Sequence, residues 1–231
     1  MTRLSIGLCG FLLFLSRLDA APVPPGWEAL EKCTLIADKY SDGDSFYVMH
    51  KGRELLFRLY FVDCPETDNR FPKRLDDQAE DFGLKSHESV IAAGKKAEKF
   101  AQKMLSSPFT VLTKWEDARG ASSQQRFYAV LMVGGKNFAS EMVRNGWARA
   151  YGMPADFPDK NRSKSFREEL RRLQAQAIRQ KLGAFTATSK VLAPGQSEVP
   201  ERPFIDHESD LGDKILKQGI IEINSIEFDF N

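Results

Sequence analysis

Three carboxylates and one arginine, in two short stretches of the chain, are the residues best suited to chemistry. Asp44 stands at the start of a predicted strand, and Asp63 and Glu66 stand in the turn that leaves the next predicted strand. Arg58 lies within that next strand, and Pro65 stiffens the turn. Because pairing of the two strands brings Asp44 and Asp63 to one end of the sheet, we expect a single site there.

These residue types favour chemistry on a phosphate. Carboxylates without a histidine or thiolate beside them suit a hard cation with oxygen ligands. Carboxylates alone repel a phosphodiester, but Arg58 can bind two of its oxygens while a metal ion neutralises the rest. The alternative is a buried Arg–Asp pair that only holds the fold together.

The cysteines and histidines do not have the spacing of a zinc site. Beyond the N-terminal segment the cysteines are Cys33 and Cys64, and the histidines are His50, His87 and His207. In an exported protein the two cysteines can form a disulfide or remain free thiols, and their positions in the sequence do not decide between these.

Five predicted strands form the sheet that must position the site. They span Thr34–Tyr40, Ser45–His50, Glu54–Val62, Phe109–Trp115 and Phe127–Val133. Alternating apolar residues and glycine-containing turns support these assignments. Five short strands are the number that an OB-type barrel needs.

Three segments with apolar residues at helical spacing accompany the strands. They are Ser89–Leu105, Phe138–Trp147 and Ser165–Leu182. We therefore predict an α+β fold, a five-stranded OB-type β-barrel with three packed α-helices. The polar segment Thr67–His87 either borders a substrate groove or is a surface loop.

The first 21 residues have the layout of a secretory signal peptide. Arg3 precedes the apolar run Ile6–Leu15, and the small residues Ala20 and Ala21 follow. A buried N-terminal helix is the alternative. No other segment is apolar enough to cross a bilayer, so we expect a secreted or periplasmic protein with no stable membrane association.

Charge divides the remaining chain into a domain, residues 22–190, and an acidic linker or tail, residues 191–231, of unknown role. The 231 residues are 42% hydrophobic and 28% charged, an ordinary globular composition. The net charge is +1; nine acidic and three basic residues give the tail −6 and the leader carries +1, so the domain carries +6. A basic domain suits a polyanionic substrate. Within the tail, Lys214–Phe230 is predicted to form a short helix and strand.

Three motifs resemble the signature segments of the staphylococcal nuclease (thermonuclease-like) family, in order and at comparable spacing. They are Asp42-Gly43-Asp44-Ser45, Phe57-Arg58-Leu59 and Val62-Asp63-Cys64-Pro65-Glu66-Thr67. Similarity resumes at Arg126-Phe127-Tyr128-Ala129-Val130-Leu131 and covers about Cys33 to Phe185. The resemblance implies a nuclease on an OB-type barrel.

The resemblance also implies a role for each matching position. Asp44 and Asp63 match two calcium-ligating aspartates, and Cys64 matches a threonine that offers its main-chain carbonyl to the metal. Glu66 matches the carboxylate that orients or deprotonates the attacking water.

Arg58 and Arg126 match the two arginines that bind the phosphate and stabilise the transition state. The chain departs from the family at Ser122–Gln125, which lacks the usual tyrosine and glycine before the second arginine, so Arg119 is a rival for that role. The tyrosines that stack on the nucleotide base are represented at best by Tyr151.

The sequence thus predicts a secreted, monomeric, Ca²⁺-dependent nuclease that cuts DNA and/or RNA with little sequence specificity. The resemblance implies cleavage that leaves 3′-phosphates. The alternative is a catalytically inactive OB-fold module that binds nucleic acid. A secreted barrel that binds a protein or sugar leaves the carboxylates and arginines unexplained.

Overall fold

The computed structural model describes residues 25–37, 42–120, 124–155 and 160–186, with residues 160–162 described by their helical backbone alone. The strands, in chain order, are β1 Glu28–Leu35, β2 Ser45–His50, β3 Arg53–Leu59, β4 Val62–Asp63, β5 Phe109–Asp117, β6 Phe127–Val133, β7 Lys136–Asn137 and β8 Arg149–Ala150. The helices are α1 Pro72–Phe82, α2 His87–Met104, α3 Phe138–Arg144 and α4 Lys160–Gln180, followed by a 3₁₀ turn at Gly183–Thr186.

Five of these strands close into a mixed barrel. They are hydrogen-bonded in the order β3-β2-β1-β5-β6, and β3 also pairs in parallel with β6 to complete the circle. The short strand β4 leaves the barrel after β3 and pairs antiparallel with β8, so that Asp63 lies opposite Arg149. Together with the packed helices, the barrel confirms the predicted α+β, OB-type fold.

The hydrophobic core lies inside the barrel and extends into the interface between the barrel and the helices. Alternation along β3 buries Phe57 and Leu59, while α3 contributes Phe138 and Met142. The rings of Phe46 and Phe138 meet edge to face with centroids 5.6 Å apart. A barrel packed in this way holds its strand ends rigidly, which is what a site built at those ends requires.

Four of the five predicted barrel strands are confirmed, and the first is misplaced. β2 and β6 have the predicted bounds, whereas β1 runs from Glu28 to Leu35 instead of Thr34–Tyr40, of which residues 38–40 lie outside the described part of the chain. The register of β1 shifts between Leu30 and Cys33, where Lys32 has a φ of 56°. This bulge breaks the alternation that would have revealed the strand.

The segment Thr67–His87 contains a helix that the sequence reasoning did not predict. Helix α1 begins at Pro72 and ends at Phe82. The next residue, Gly83, has a left-handed φ of 69°, and its N–H caps the last turn. Proline at the start and glycine just after the end are the usual helix boundaries. The described residues therefore contain four helices, one more than the three predicted.

The predicted leader and tail lie outside the described residues, as does the helix and strand predicted within Lys214–Phe230. Among the residues that are described, no helix is both long and apolar enough to span a bilayer.

Candidate active site

The start of β2 fixes Asp44. Ser45 pairs with Arg58 of β3, and the N–H of Leu59 donates to the Asp44 carbonyl at 2.9 Å. The carboxylate, in a residue only 2% exposed, accepts the N–H of Cys64 at 2.8 Å and the hydroxyl of Ser45 at 3.1 Å. These contacts tie the first motif to the third, as strand pairing predicted.

Asp63 lies beside Asp44 and is surrounded by donors. Its Oδ1 contacts Arg74 Nη2 at 2.5 Å and Arg58 Nη2 at 3.4 Å. Its Oδ2 accepts Gln78 Nε2 at 2.9 Å and both Nε and Nη2 of Arg149, at 2.9 and 2.8 Å. Burial opposes the charge, but Arg74, Arg149 and Arg58 outweigh it and hold the pKa of Asp63 well below its usual range.

Glu66 is the third buried carboxylate, 7% exposed. Its Oε1 lies 2.9 Å from Arg74 Nη2, and its main-chain N–H donates to Gln78 Oε1 at 2.7 Å. Burial raises the pKa of Glu66, and Arg74 opposes part of that increase. Glu66 is therefore a stronger base than an exposed glutamate.

Arg58 projects from β3 towards the two aspartates. Burial disfavours its charge, but the carboxylates of Asp44 and Asp63 raise its pKa above the usual value. Its contact with Asp63 is long, at 3.4 Å, and therefore weak. A permanently charged donor thus lies next to the carboxylates at the end of the barrel.

The structure brings Arg126 to the same end and leaves Arg119 apart. Arg126 Nε donates to the carbonyl of Ala118 at 2.8 Å, and Nη1 lies 3.4 Å from the Ser45 hydroxyl, which in turn donates to Asp44. Arg119 is about half exposed and pairs with Asp117 at 2.5 Å. Arg126 is thus the better placed of the two to reach a substrate that touches Asp44.

Cys64 has a buried side chain, and both Cys64 and Cys33 are free thiols. Burial raises the pKa of the Cys64 thiol well above its usual value, as does the nearby charge of Asp44. The Cys64 carbonyl accepts Gln78 Nε2 at 2.8 Å. Because a carbonyl oxygen has two lone pairs, this bond leaves one for a further partner.

The donor set fits calcium. Among the described residues no three His, Cys, Asp or Glu side chains converge as a metal cluster. The predicted ligands, however, are only two carboxylates, Asp44 and Asp63, and the main-chain oxygen of Cys64. Calcium takes six to eight oxygens and accepts water and substrate among them, so this partial set is compatible with it. Asp44 is bonded to neutral donors, whereas Asp63 is already engaged by arginines.

Sequence reasoning missed Gln78 and Arg149 and gave no role to Arg74. Gln78 is fully buried and bonds Asp63 together with the main chain of Cys64 and Glu66. Arg149 also pairs with Asp81 of α1. The signals for α1 were its proline and glycine boundaries and the spacing of its buried residues Leu75, Gln78 and Phe82.

Tyr151, the residue predicted to stack on a base, has one face of its ring covered from within the protein. The Arg149 guanidinium lies 4.3 Å from the centre of its ring, so the ring already has a stacking partner within the protein.

Residues 56–186 match the family described as staphylococcal nuclease homologue. The match covers the second half of β3, the turn that carries Asp63 and Glu66, and helices α1 to α4. It begins after Asp44.

Proposed function

The chain belongs to the staphylococcal nuclease family, and on that premise we propose that it is a secreted, calcium-dependent nuclease acting on DNA, RNA or both. One observation carries the proposal: Asp44, Asp63 and Glu66 are buried at the end of the barrel with Arg58 and Arg126 beside them. Burying three carboxylates lowers the stability of the folded state, because charged groups lose their hydration. Their grouping with arginines suits the binding of a phosphodiester.

The two arginines bind the scissile phosphate. Arg58 and Arg126 reach it from β3 and from the start of β6, so that two rigid strands fix the distance between their guanidinium groups. The non-bridging oxygens of the phosphate gain negative charge as a fifth oxygen approaches phosphorus. Because arginine stays charged and donates in a planar fork, both residues stabilise that transition state more than the bound diester.

Glu66 holds the attacking water and takes its proton. The water oxygen forms a bond to phosphorus while the bond from phosphorus to the 5′ oxygen breaks. The leaving oxygen is protonated from solvent, and the products end in a 3′-phosphate and a 5′-hydroxyl. The buried position of Glu66, which raises its pKa, supports its role as base.

Asp44, Asp63 and the carbonyl of Cys64 would hold the calcium ion, which when bound supplies positive charge to polarise the phosphodiester. Their all-oxygen chemistry supports calcium over zinc. Little sequence preference is expected, since phosphate contacts carry no sequence information. We further propose that the mature protein is a monomer without stable membrane association.

The test is incubation of the purified mature chain with DNA and with RNA, in calcium and in chelator, followed by analysis of the product ends. Cleavage that requires calcium and leaves 3′-phosphates is the expected result. Binding of either nucleic acid without cleavage would replace this proposal by the inactive binding module.

A further inference from the structure

Helix α1 places Arg74 against two carboxylates of the site at once. Its Nη2 lies 2.5 Å from Asp63 Oδ1 and 2.9 Å from Glu66 Oε1. A single nitrogen therefore bridges the aspartate assigned to the metal and the glutamate assigned to the water. The contact of Arg58 with the same Oδ1 is longer, at 3.4 Å.

Arg74 is more exposed than the other arginine that contacts Asp63 closely. The Arg149 side chain is 5% exposed and is also paired with Asp81, whereas the Arg74 side chain is 35% exposed. Arg149 and Gln78 hold Oδ2, and Arg74 holds Oδ1. Arg74 can therefore leave Asp63 towards solvent while Oδ2 keeps its partners.

A guanidinium at Asp63 Oδ1 opposes a divalent cation in two ways. It occupies an oxygen that the cation needs, and it adds a positive charge within a few ångströms of the cation. Both effects are strong in a buried site, where water screens charges poorly.

We propose that Arg74 is a positioning residue, the counter-cation of Asp63 and Glu66, which calcium must displace from Asp63 in order to bind. Arg74 holds the two carboxylates together while no metal is present and sets the calcium concentration at which the site fills. This inference rests on the calcium site of the proposed function.

The experiment measures calcium binding by titration calorimetry, and thermal unfolding with calcium and with chelator, for the mature parent, Arg74→Gln and Arg70→Gln. Arg70→Gln is a matched control because it removes the same charge four residues earlier in the chain. Arg70 pairs with Asp68 at the surface and, among the described residues, forms no ion pair with Asp63 or Glu66. Arg74→Gln should bind calcium about tenfold more tightly than the other two proteins. It should also unfold at a lower temperature in chelator and gain more stability from calcium.

The other possible results distinguish the role of Arg74 from the existence of the calcium site. If Arg74→Gln binds calcium no more tightly than Arg70→Gln does, the proposed role of Arg74 is wrong, while the calcium site itself stands. If none of the three proteins binds calcium, both this inference and the calcium site are wrong. Binding by Arg74→Gln alone would support the inference and contradict calcium dependence of the parent. If Arg74→Gln is unfolded in chelator, folding on addition of calcium supports the inference, and failure to fold overturns it.

Discussion

At the scale of single residues, the site combines groups that were recognisable in the sequence with groups that were not. Asp44, Asp63, Glu66 and Arg58 were identifiable because their types and order are unusual together. Gln78 was not, because a glutamine in a polar segment gives no signal until its helix is placed. Its three bonds, one each to Asp63, Cys64 and Glu66, depend on tertiary contacts alone.

The two strand arginines should separate catalysis from binding. Arg58→Lys and Arg126→Lys keep a positive charge but lose the planar fork, so each should lower kcat by about a hundredfold. KM should change much less, because the lost interaction is strongest in the transition state. Steady-state cleavage kinetics provide the measurement.

Arg119→Lys is the control for this pair, because Arg119 is exposed and bonded to Asp117. Its kinetics should match those of the parent. A damaging Arg119→Lys beside a silent Arg126→Lys would show that the second phosphate-binding arginine is misassigned.

Cys64 should be replaceable by threonine with little loss of activity. The proposed ligand is its main-chain oxygen, and both cysteines are free in the structure, so the thiol has no assigned role. Cys64→Thr should keep cleavage within about tenfold of the parent, a barrier change of about 1.4 kcal/mol. Denatured, unreduced mature protein should also contain two reactive thiols. A larger loss of activity, or the absence of reactive thiols, would show that the sulfur of Cys64 has a role.

At the scale of elements, four of the five barrel strands were predictable, whereas the bounds of β1 and the existence of helix α1 were not. Strands β2 and β6 have clear apolar character and sharp turns, and their bounds were predicted correctly. Helix α1 has mostly charged residues on its exposed face, and one of its three fully buried positions is Gln78. Hydrophobic spacing alone is therefore a weak signal there, and the sequence predicts a groove border or a surface loop instead of a helix.

Helix α2 carries a glycine that the site turn requires. A Cβ at Gly94 would lie 2.2 Å from the Glu66 carbonyl oxygen and 2.5 Å from that of Pro65. In an unobstructed helix Gly→Ala would stabilise by up to about 1 kcal/mol. Here the clash with rigid backbone should reverse the sign, and we expect Gly94→Ala to destabilise by about 1–3 kcal/mol.

The same clash should displace Glu66, so Gly94→Ala should also lower the cleavage rate by at least about tenfold. Denaturant unfolding and cleavage kinetics measure the two effects. Lys96→Ala, an exposed change on the same helix, should leave both near parental values. A Gly94→Ala protein as stable and active as the parent would contradict the packing of α2 against the turn.

At the scale of the whole molecule, the described domain is the barrel with its helices, and the predicted leader lies outside it. If residues 1–21 are a signal peptide, the exported protein should begin at about Pro22, as N-terminal sequencing or intact mass can establish. Leu13→Arg interrupts the apolar run and should leave the chain uncleaved and inside the cell. An exported protein that retains its first 21 residues would contradict the assignment of a leader.

A calcium titration of DNA cleavage tests metal-assisted phosphodiester cleavage at the end of the barrel. Parent, Asp44→Ala and Asp117→Ala would be compared, because Asp117 is an exposed carboxylate that pairs with Arg119 outside the site. Metal-assisted cleavage predicts no cleavage in chelator, overlapping titrations for parent and Asp117→Ala, and a calcium requirement at least about tenfold higher for Asp44→Ala. Cleavage by the parent in chelator, or an Asp44→Ala titration that overlaps the parent's, would contradict it.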